Sequence, residues 1–237
     1  EDASYGLAQL GNTSDETFIE VAANCTVLVP TNGTLGSTWT STGFDDSSWT
    51  SGTTGVGYER SSGYDSYFNI DVESQMYNQR TSVYLRVPFT VTNVGEISAL
   101  ELQLQYDDGF VAYLNGVQVA DDRVDFPVDW QSNANGDHTD SSASQFTPFD
   151  ISAYTNALVE GNNVLAIHGL NRNPTSSDLL FRPRLIASRL SNPSLGAPGY
   201  FLAPSPGSVN GTEQGLPASE VTISVPSQAF TGSFQVS

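Results

Sequence analysis

Lysine is missing from this chain: of 237 residues, the eight basic ones are all arginine. Without a lysine amine there is no Schiff base, no phosphate-binding P-loop and no Lys–Asn isopeptide cross-link. Cysteine is nearly missing as well. The single Cys25 permits no intrachain disulfide and no cysteine-rich metal site, and its setting, "AANCTVLVP", predicts a buried, inert thiol. The two histidines, His138 and His168, are too few and too isolated for a zinc triad or a Ser-His-Asp arrangement. His168, inside the strand pattern "NVLAIHGL", is expected as a packed, hydrogen-bonded side chain. There is no nucleophile motif, phosphate loop or nucleotide fingerprint. No apolar run reaches the length of a membrane span, so membrane insertion is not expected. The chain starts at Glu1 with no visible signal peptide. With its abundant Ser, Thr, Asn and Gly, that start is expected of the mature or excised part of a secreted, extracellular or cell-surface protein.

Positive charge is also scarce. Twenty-six acids stand against eight bases, a net charge of −18. Such a field repels nucleic-acid backbones and anionic lipid, which disfavours those partners and leaves divalent cations and neutral sugars compatible.

What is present is a pattern of strands. A hydrophobic content of 38% with 11% aromatics is enough for a folded interior. In "SVYLRVPFTV", Val83, Leu85, Val87, Phe89 and Val91 alternate with Tyr84, Arg86, Pro88 and Thr90, the period of a half-buried strand. Pro88 cannot donate a ladder hydrogen bond, which predicts an edge or a bulge there. "ALELQLQY" repeats the alternation, and "FVAYL" and "VQVA" are joined by Asn115-Gly116, the pair that a type I′ hairpin turn requires. Further strands are predicted at "TFIEVA", "CTVLV", "NVLAIHGL" and "LLFRPRLIASR", with one short helix in "FDISAYTNALVEG", capped by Asp150 and stopped by Gly161. Many strands and almost no helix mean an all-β fold, an antiparallel β-sandwich or jelly roll.

Residues 1–190 carry this pattern. Residues 191–217 are rich in Pro, Gly and Ser and are expected as a linker or extended segment. Residues 218–237 hold two more strand patterns, "VTISV" and "FTGSFQVS", which must dock on something because a lone hairpin is marginal in water.

Several separated segments carry a resemblance. "GFDDSSWTSGTTGVGY", "VYLRVPFTV", "YDDGFVAYLNGVQV", "GNNVLAIHGLN" and "SSDLLFRPRL" resemble the galactose-binding-like jelly-roll module, similar to the sugar-binding domain of β-galactosidases and β-glucuronidases. The tail from "YFLAPSPGSVNG" onward is similar to the start of an immunoglobulin-like domain of the chitobiase C-terminal type, with only its first two strands. The resemblance implies a non-catalytic sandwich that binds carbohydrate at loops on one end and holds a structural calcium.

The acids and aromatics give the candidate sites. Asp107 and Asp108 admit two readings, a glycosidase-like carboxylate pair or Asp-Asp-Gly turn chemistry with glycine at positive φ, and the turn is preferred. Hard oxygen ligands on loops suit calcium, with Asp45, Asp46, Asp107, Asp108, Asp121 and Asp122 as ligand candidates beside Asp65, Asp71, Asp125, Asp137 and Asp140. None of these fits an EF-hand. Tyr58, Tyr64, Tyr67 and Trp130 lie in loop-like segments and are candidates for stacking on a sugar ring, whereas Trp49 is expected in the core. Sequons at Asn12, Asn24, Asn32 and Asn210 are candidate glycosylation sites. The expected function is a calcium-stabilised module whose partner is a polysaccharide or glycan. The alternative is a subunit of an extracellular filament or surface layer, in which strands of one copy of the chain complete the sheet of another.

Overall fold

In the computed structural model the alternating segments become strands. The structure describes the backbone of residues 4–201 and the side chains of residues 13–190. Residues 12–191 form one compact unit. The strands are β1 (Ser4–Ile19), β2 (Asn24–Leu28), β3 (Thr50–Thr53), β4 (Val56–Glu59), β5 (Ile70–Asp71) and β6 (Ser82–Val91). After these come β7 (Ile97–Asp107), β8 (Gly109–Leu114), β9 (Val117–Asp122), β10 (Thr147–Asp150), β11 (Gly161–Leu170) and β12 (Asp178–Phe201). Among the described residues, two helices of four residues, α1 (Glu73–Met76) and α2 (Asp140–Ala143), and a few 3-10 turns complete the regular structure.

One sheet runs β10-β7-β12-β4-β5, with β1 also on β12, and the other runs β3-β2-β6-β11-β8-β9. All pairings with a described register are antiparallel except β4 with β5. The core lies between the sheets, where Leu100, Leu102, Leu104 and Phe181 of the first share one buried cluster with Leu85, Phe110 and Ile167 of the second. Alternation puts these side chains on the inner faces because successive residues of a strand point to opposite sides. This is an all-β sandwich.

The outer face of the second sheet is covered too. Tyr84 and Arg86, the outward residues of β6, are only 4% exposed. A layer built from residues 29–49 lies over them: Trp39 stacks on Tyr84 with ring centroids 4.1 Å apart, and Trp49, in the core as expected, packs beside them. Arg86 donates through Nε to Asp46 Oδ2 at 2.7 Å and through Nη1 to the Ser41 carbonyl at 2.9 Å, so the buried guanidinium is neutralised and satisfied. Beyond Arg86, β2 leaves β6, whose described pairing on that side stops at Thr26↔Arg86. Pro88 therefore sits where the ladder is one-sided, the local edge that its missing N–H predicted.

Three expectations change on contact with the structure. The predicted helix is a 3-10 stretch, Ser152–Ala157, although Asp150 does accept the Ser152 N–H at 3.0 Å and Gly161 does take positive φ, +88°. The strand expected over "TFIEVA" ends at Ile19, because the chain turns through Ala22 at φ +65°. Strand β12 continues to Phe201, so the first part of the expected linker is extended strand. The two strand patterns of residues 218–237, and with them the assembly reading, lie outside the described residues. Among the described residues no helix is long and apolar enough to cross a membrane. Cys25 is buried, 4% exposed, and burial pushes its thiol up to about 12.

Candidate functional site

The Asp107-Asp108-Gly109 corner carries the chain from β7 in one sheet to β8 in the other. It is no exposed turn: Asp107 is 1% and Asp108 5% exposed. Nor is Gly109 at positive φ. A Cβ there would lie 2.8 Å from the Arg123 carbonyl oxygen and 3.0 Å from that of Asp122, so close approach of β9 demands the glycine. The Asp107–Asp108 peptide is cis.

The two aspartates do different things. Asp108 accepts the His138 N–H on Oδ1 at 3.1 Å and the Arg172 N–H on Oδ2 at 2.9 Å, which ties two distant loops to the corner. Both of its oxygens are occupied by backbone donors, the role expected of turn chemistry but over a much longer range. Asp107 accepts the Tyr64 hydroxyl on Oδ2 at 2.9 Å, while its buried Oδ1 has no partner. An orphaned buried carboxylate oxygen is costly unless a cation or proton meets it.

Around Asp107 the fold gathers further acids. Ligand atoms of Asp107, Asp140 and Asp178 all lie within 4.8 Å of one another. Asp140 comes from the first turn of α2 and is exposed, and Asp178 opens β12 and is buried. Glu59, directly opposite Asp178 in the β4–β12 register, contributes a second buried oxygen without a partner, Oε2. Like charges directly opposite across two strands repel. The carboxyls answer accordingly: burial, then the neighbouring Asp108 and Asp178 charges, drives Asp107 far above the carboxylate range. Burial, then Asp140 and Glu59, raises Asp178 to about 6.

The donor set is all oxygen, partly buried and borne by loops and strand ends, which is what a hard cation needs. A calcium ion, bonding oxygen at roughly 2.3–2.6 Å, bridges donors about 4.8 Å apart, and three carboxylates suit it better than magnesium, which keeps most of its waters. The residues therefore suit a hard divalent cation. Asp107, Asp140 and Asp178 would hold it, supplying the charge that the orphaned Oδ1 lacks.

Of the six aspartates named as ligand candidates, only Asp107 enters this cluster. Asp108 is spent on backbone donors. Asp46 is paired with Arg86 and accepts the Thr26 hydroxyl at 2.8 Å; exposed Asp45 accepts the Ser47 N–H at 3.0 Å; Asp121 accepts from Gln118 at 3.0 Å. Asp122 accepts the Tyr106 hydroxyl and pairs with Arg123. Asp140 stands among the further acids that the sequence offers, but Asp178 and Glu59 were missed. Positions 59, 107, 140 and 178 form no spacing motif, since their meeting is made by pairing between strands far apart in the chain.

The aromatic candidates divide in the same way. Tyr58 and Tyr64 are each 1% exposed, so neither ring can meet a sugar. Tyr58 lies in strand β4, not a loop, and its hydroxyl donates to the Ser176 carbonyl at 3.0 Å. Tyr64 is turned inward by Asp107. Tyr67 is half-buried, with the Arg182 guanidinium 5.3 Å from its ring centroid. Trp130, half-buried, lines a cleft of about 390 Å³ with Gln79, Arg80, Asn133, Arg172 and Asn173. It leans on Gly33, where a Cβ would come within 2.9 Å of its Cδ1. Thr81 donates to the Ser132 carbonyl at 2.8 Å, Asn171 N–H to the Thr81 carbonyl at 2.7 Å and Asn78 N–H to the Pro174 carbonyl at 2.7 Å, so the three loops of the cleft are bonded together. Asp108 holds one of them through Arg172.

His168 is packed and hydrogen-bonded as expected, its Nε2 2.9 Å from the Ser82 hydroxyl. Among the sequons, Asn24 and Asn32 are exposed, and Asn32 Oδ1 accepts from the Thr34 N–H and hydroxyl. The side chains of Asn12 and Asn210 lie outside the described residues.

No protein-family model matches the sequence, and no curated protein does. Among solved structures the chain is similar to a beta-glucuronidase of Bacteroides uniformis, at 16% identity and TM-score 0.46, over 74% of this chain and 18% of that one. A beta-glucuronidase of an uncultured Clostridium species gives 12% and 0.43, over 76% and 29%. A beta-glycosidase from Bacteroides vulgatus gives 14% and 0.40, over 75% and 20%. The chain thus spans less than a third of the length of these enzymes.

Proposed function

We propose that this chain is a non-catalytic, extracellular carbohydrate-binding module whose sugar seat is the Trp130 cleft and whose loop end is stabilised by calcium. The indole of Trp130, partly buried and lining a cleft, carries the reading. It lines a cleft together with side-chain amides, two guanidinium groups, Thr81 and Pro174, a combination that meets the C–H face of a pyranose and its hydroxyls at once. The bonds among the three loops keep that cleft formed without ligand, which lowers the cost of binding.

Calcium belongs to the same reading. Asp107 and Asp108 are adjacent, so an ion held by Asp107, Asp140 and Asp178 braces the corner from which Asp108 reaches the Arg172 loop. Extracellular calcium modules work in the range of roughly 0.1–1 mM, which suits a site with one exposed ligand. Catalysis is disfavoured by the same burial. A glycosidase needs two carboxylates facing a sugar-sized space, and the Asp107–Asp108 pair is covered, 1% and 5% exposed.

The test is affinity electrophoresis of the purified chain in gels containing different soluble polysaccharides, with calcium and with EDTA. Retardation by at least one polymer that Trp130→Ala abolishes, without a change in thermal midpoint, supports the reading. A chain that no polymer retards, or that Trp130→Ala leaves fully retarded, refutes it.

A further inference from the structure

The Trp130 cleft differs in charge from the rest of this molecule. The sequence carries 26 acids and eight bases, yet the cleft is lined by two arginines and no acid. Other clefts include acids: Asp46 beside Arg86, Asp45 near Trp49, and Asp15, Glu101 and Asp150 on the first sheet. A local excess of positive charge in a chain of net −18 calls for a physical reason.

Arg80 sharpens the point. Six of the eight arginines have an acid within 4.0 Å, whereas Arg80 has none among the described residues. Its Nη1 donates to the Gln79 carbonyl at 2.9 Å, its buried Nε has no partner, and its guanidinium carbon lies 5.7 Å from the Trp130 ring centroid. The second arginine, Arg172, is pinned by its backbone: its N–H donates to Asp108 Oδ2 and to Asn171 Oδ1, each at 2.9 Å. Its half-exposed head group is paired with exposed Asp137, a weak surface bond that a better acceptor can replace.

Building on the carbohydrate-binding reading, we infer that the sugar bound in this cleft is a uronic acid, its carboxylate received by Arg80 and Arg172 while Trp130 meets the ring. A guanidinium fork matches a carboxylate in shape and charge, and such bonds are about twice as strong as neutral ones. The net charge of −18 does not forbid this. Charges farther away than the screening length of about 8 Å at physiological ionic strength are largely damped, so the two guanidinium groups at contact decide.

The experiment is isothermal titration of the intact, calcium-loaded chain with a short oligogalacturonide, too short to gel, and with its methyl ester, which keeps the ring and loses the charge. A neutral galactan and a sulfated galactan complete the set. The acid is expected to bind at least roughly tenfold more tightly than the ester, about 1.4 kcal/mol. Arg80→Gln and Arg172→Gln should each erase that preference; Arg172, half-exposed, can be changed without touching the core, so one variant stays interpretable if the other unfolds. Equal binding of acid and ester, or a preference that survives both substitutions, overturns the inference. Tighter binding of the sulfated galactan than of the oligogalacturonide overturns the carboxylate assignment. Binding of the neutral galactan that depends on Trp130, with no preference for acid, would overturn this inference and leave the module reading standing. Silence toward every sugar would remove both.

Discussion

Replacing Asp107 by asparagine should move stability in opposite directions depending on calcium. Without the ion, Asp107 brings a buried carboxylate oxygen with no partner, Oδ1, into a cluster that already holds Asp140 and Asp178. Asparagine keeps an oxygen for the Tyr64 hydroxyl and turns an N–H donor toward the acids. That removes a desolvation penalty of about 1–3 kcal/mol. In a compact unit of residues 12–191, each kcal/mol is worth roughly 2–4 °C, so the variant in EDTA should melt several degrees above the wild type. With calcium at a hundredfold excess over its dissociation constant, the wild type should gain about 2.7 kcal/mol, or roughly 5–11 °C. The variant, missing one of three protein carboxylates, should gain little.

Acidity gives a second axis for the same experiment. Asp107 and Asp178 hold their protons more tightly folded than unfolded. The chelated protein should therefore lose stability as pH climbs from the unfolded carboxylate range, about 4, through about 6 for Asp178 and beyond for Asp107. Calcium should flatten that slope above pH 6. Scanning calorimetry of both proteins, with calcium and with EDTA across this range, is the assay. An Asp107→Asn variant that melts lower than the wild type in EDTA, or that responds to calcium as the wild type does, would refute the assignment of this cluster as a cation site.

Three other outcomes follow from single contacts. Asp108→Ala leaves the His138 and Arg172 N–H groups without their acceptor and should cost about 2–6 kcal/mol in urea unfolding, at about 1–3 kcal/mol each; an unchanged midpoint would mean the clasp carries no load. Asp46→Ala strands the buried Arg86 guanidinium and should cost about 3–5 kcal/mol by the same measurement, whereas a cost below about 1 kcal/mol would show that Arg86 finds water. His168 is buried and neutral, its pKa lowered to about 3 by desolvation, so the unfolded chain binds its proton first and stability falls as pH drops from about 6.5 toward 3. His168→Gln should flatten that acid limb of the thermal profile by about 1.4 kcal/mol per pH unit, and an unchanged limb would mean that His168 is protonated in the fold.

The sandwich was legible because period two is a local property. β6 runs over the segment whose alternation was read from the sequence, and Asn115 and Gly116 take the positive φ values, +52° and +90°, that their turn requires. Pro88 reported its edge through one missing donor. What stayed hidden was whatever depends on the third dimension. Tyr84 and Arg86 sit on the outward phase of β6 and read as solvent-facing, yet a layer from residues 29–49 covers them. Tyr64 lies between glycines and polar residues that read as loop, but its hydroxyl is needed by a buried carboxylate. Asp178 carries no local sign of its role: it is one acid at the head of a strand, and only the register that sets it opposite Glu59 and beside Asp107 gives it company. The Trp130 cleft was half legible, the indole by its loop setting and the arginines not at all.

The corner itself has a thermodynamic consequence. Consecutive residues serve two places, Asp107 the acidic cluster and Asp108 the loop that presents Arg172, so the proposed ion and the proposed glycan would share one corner of the chain. Binding free energies linked in this way are reciprocal: the factor by which an ion tightens the hold on a glycan is the factor by which that glycan tightens the hold on the ion. On the proposed function, a copy seated on its polymer would keep its ion at dilutions that strip a free copy, and a chelator would act as an eluent.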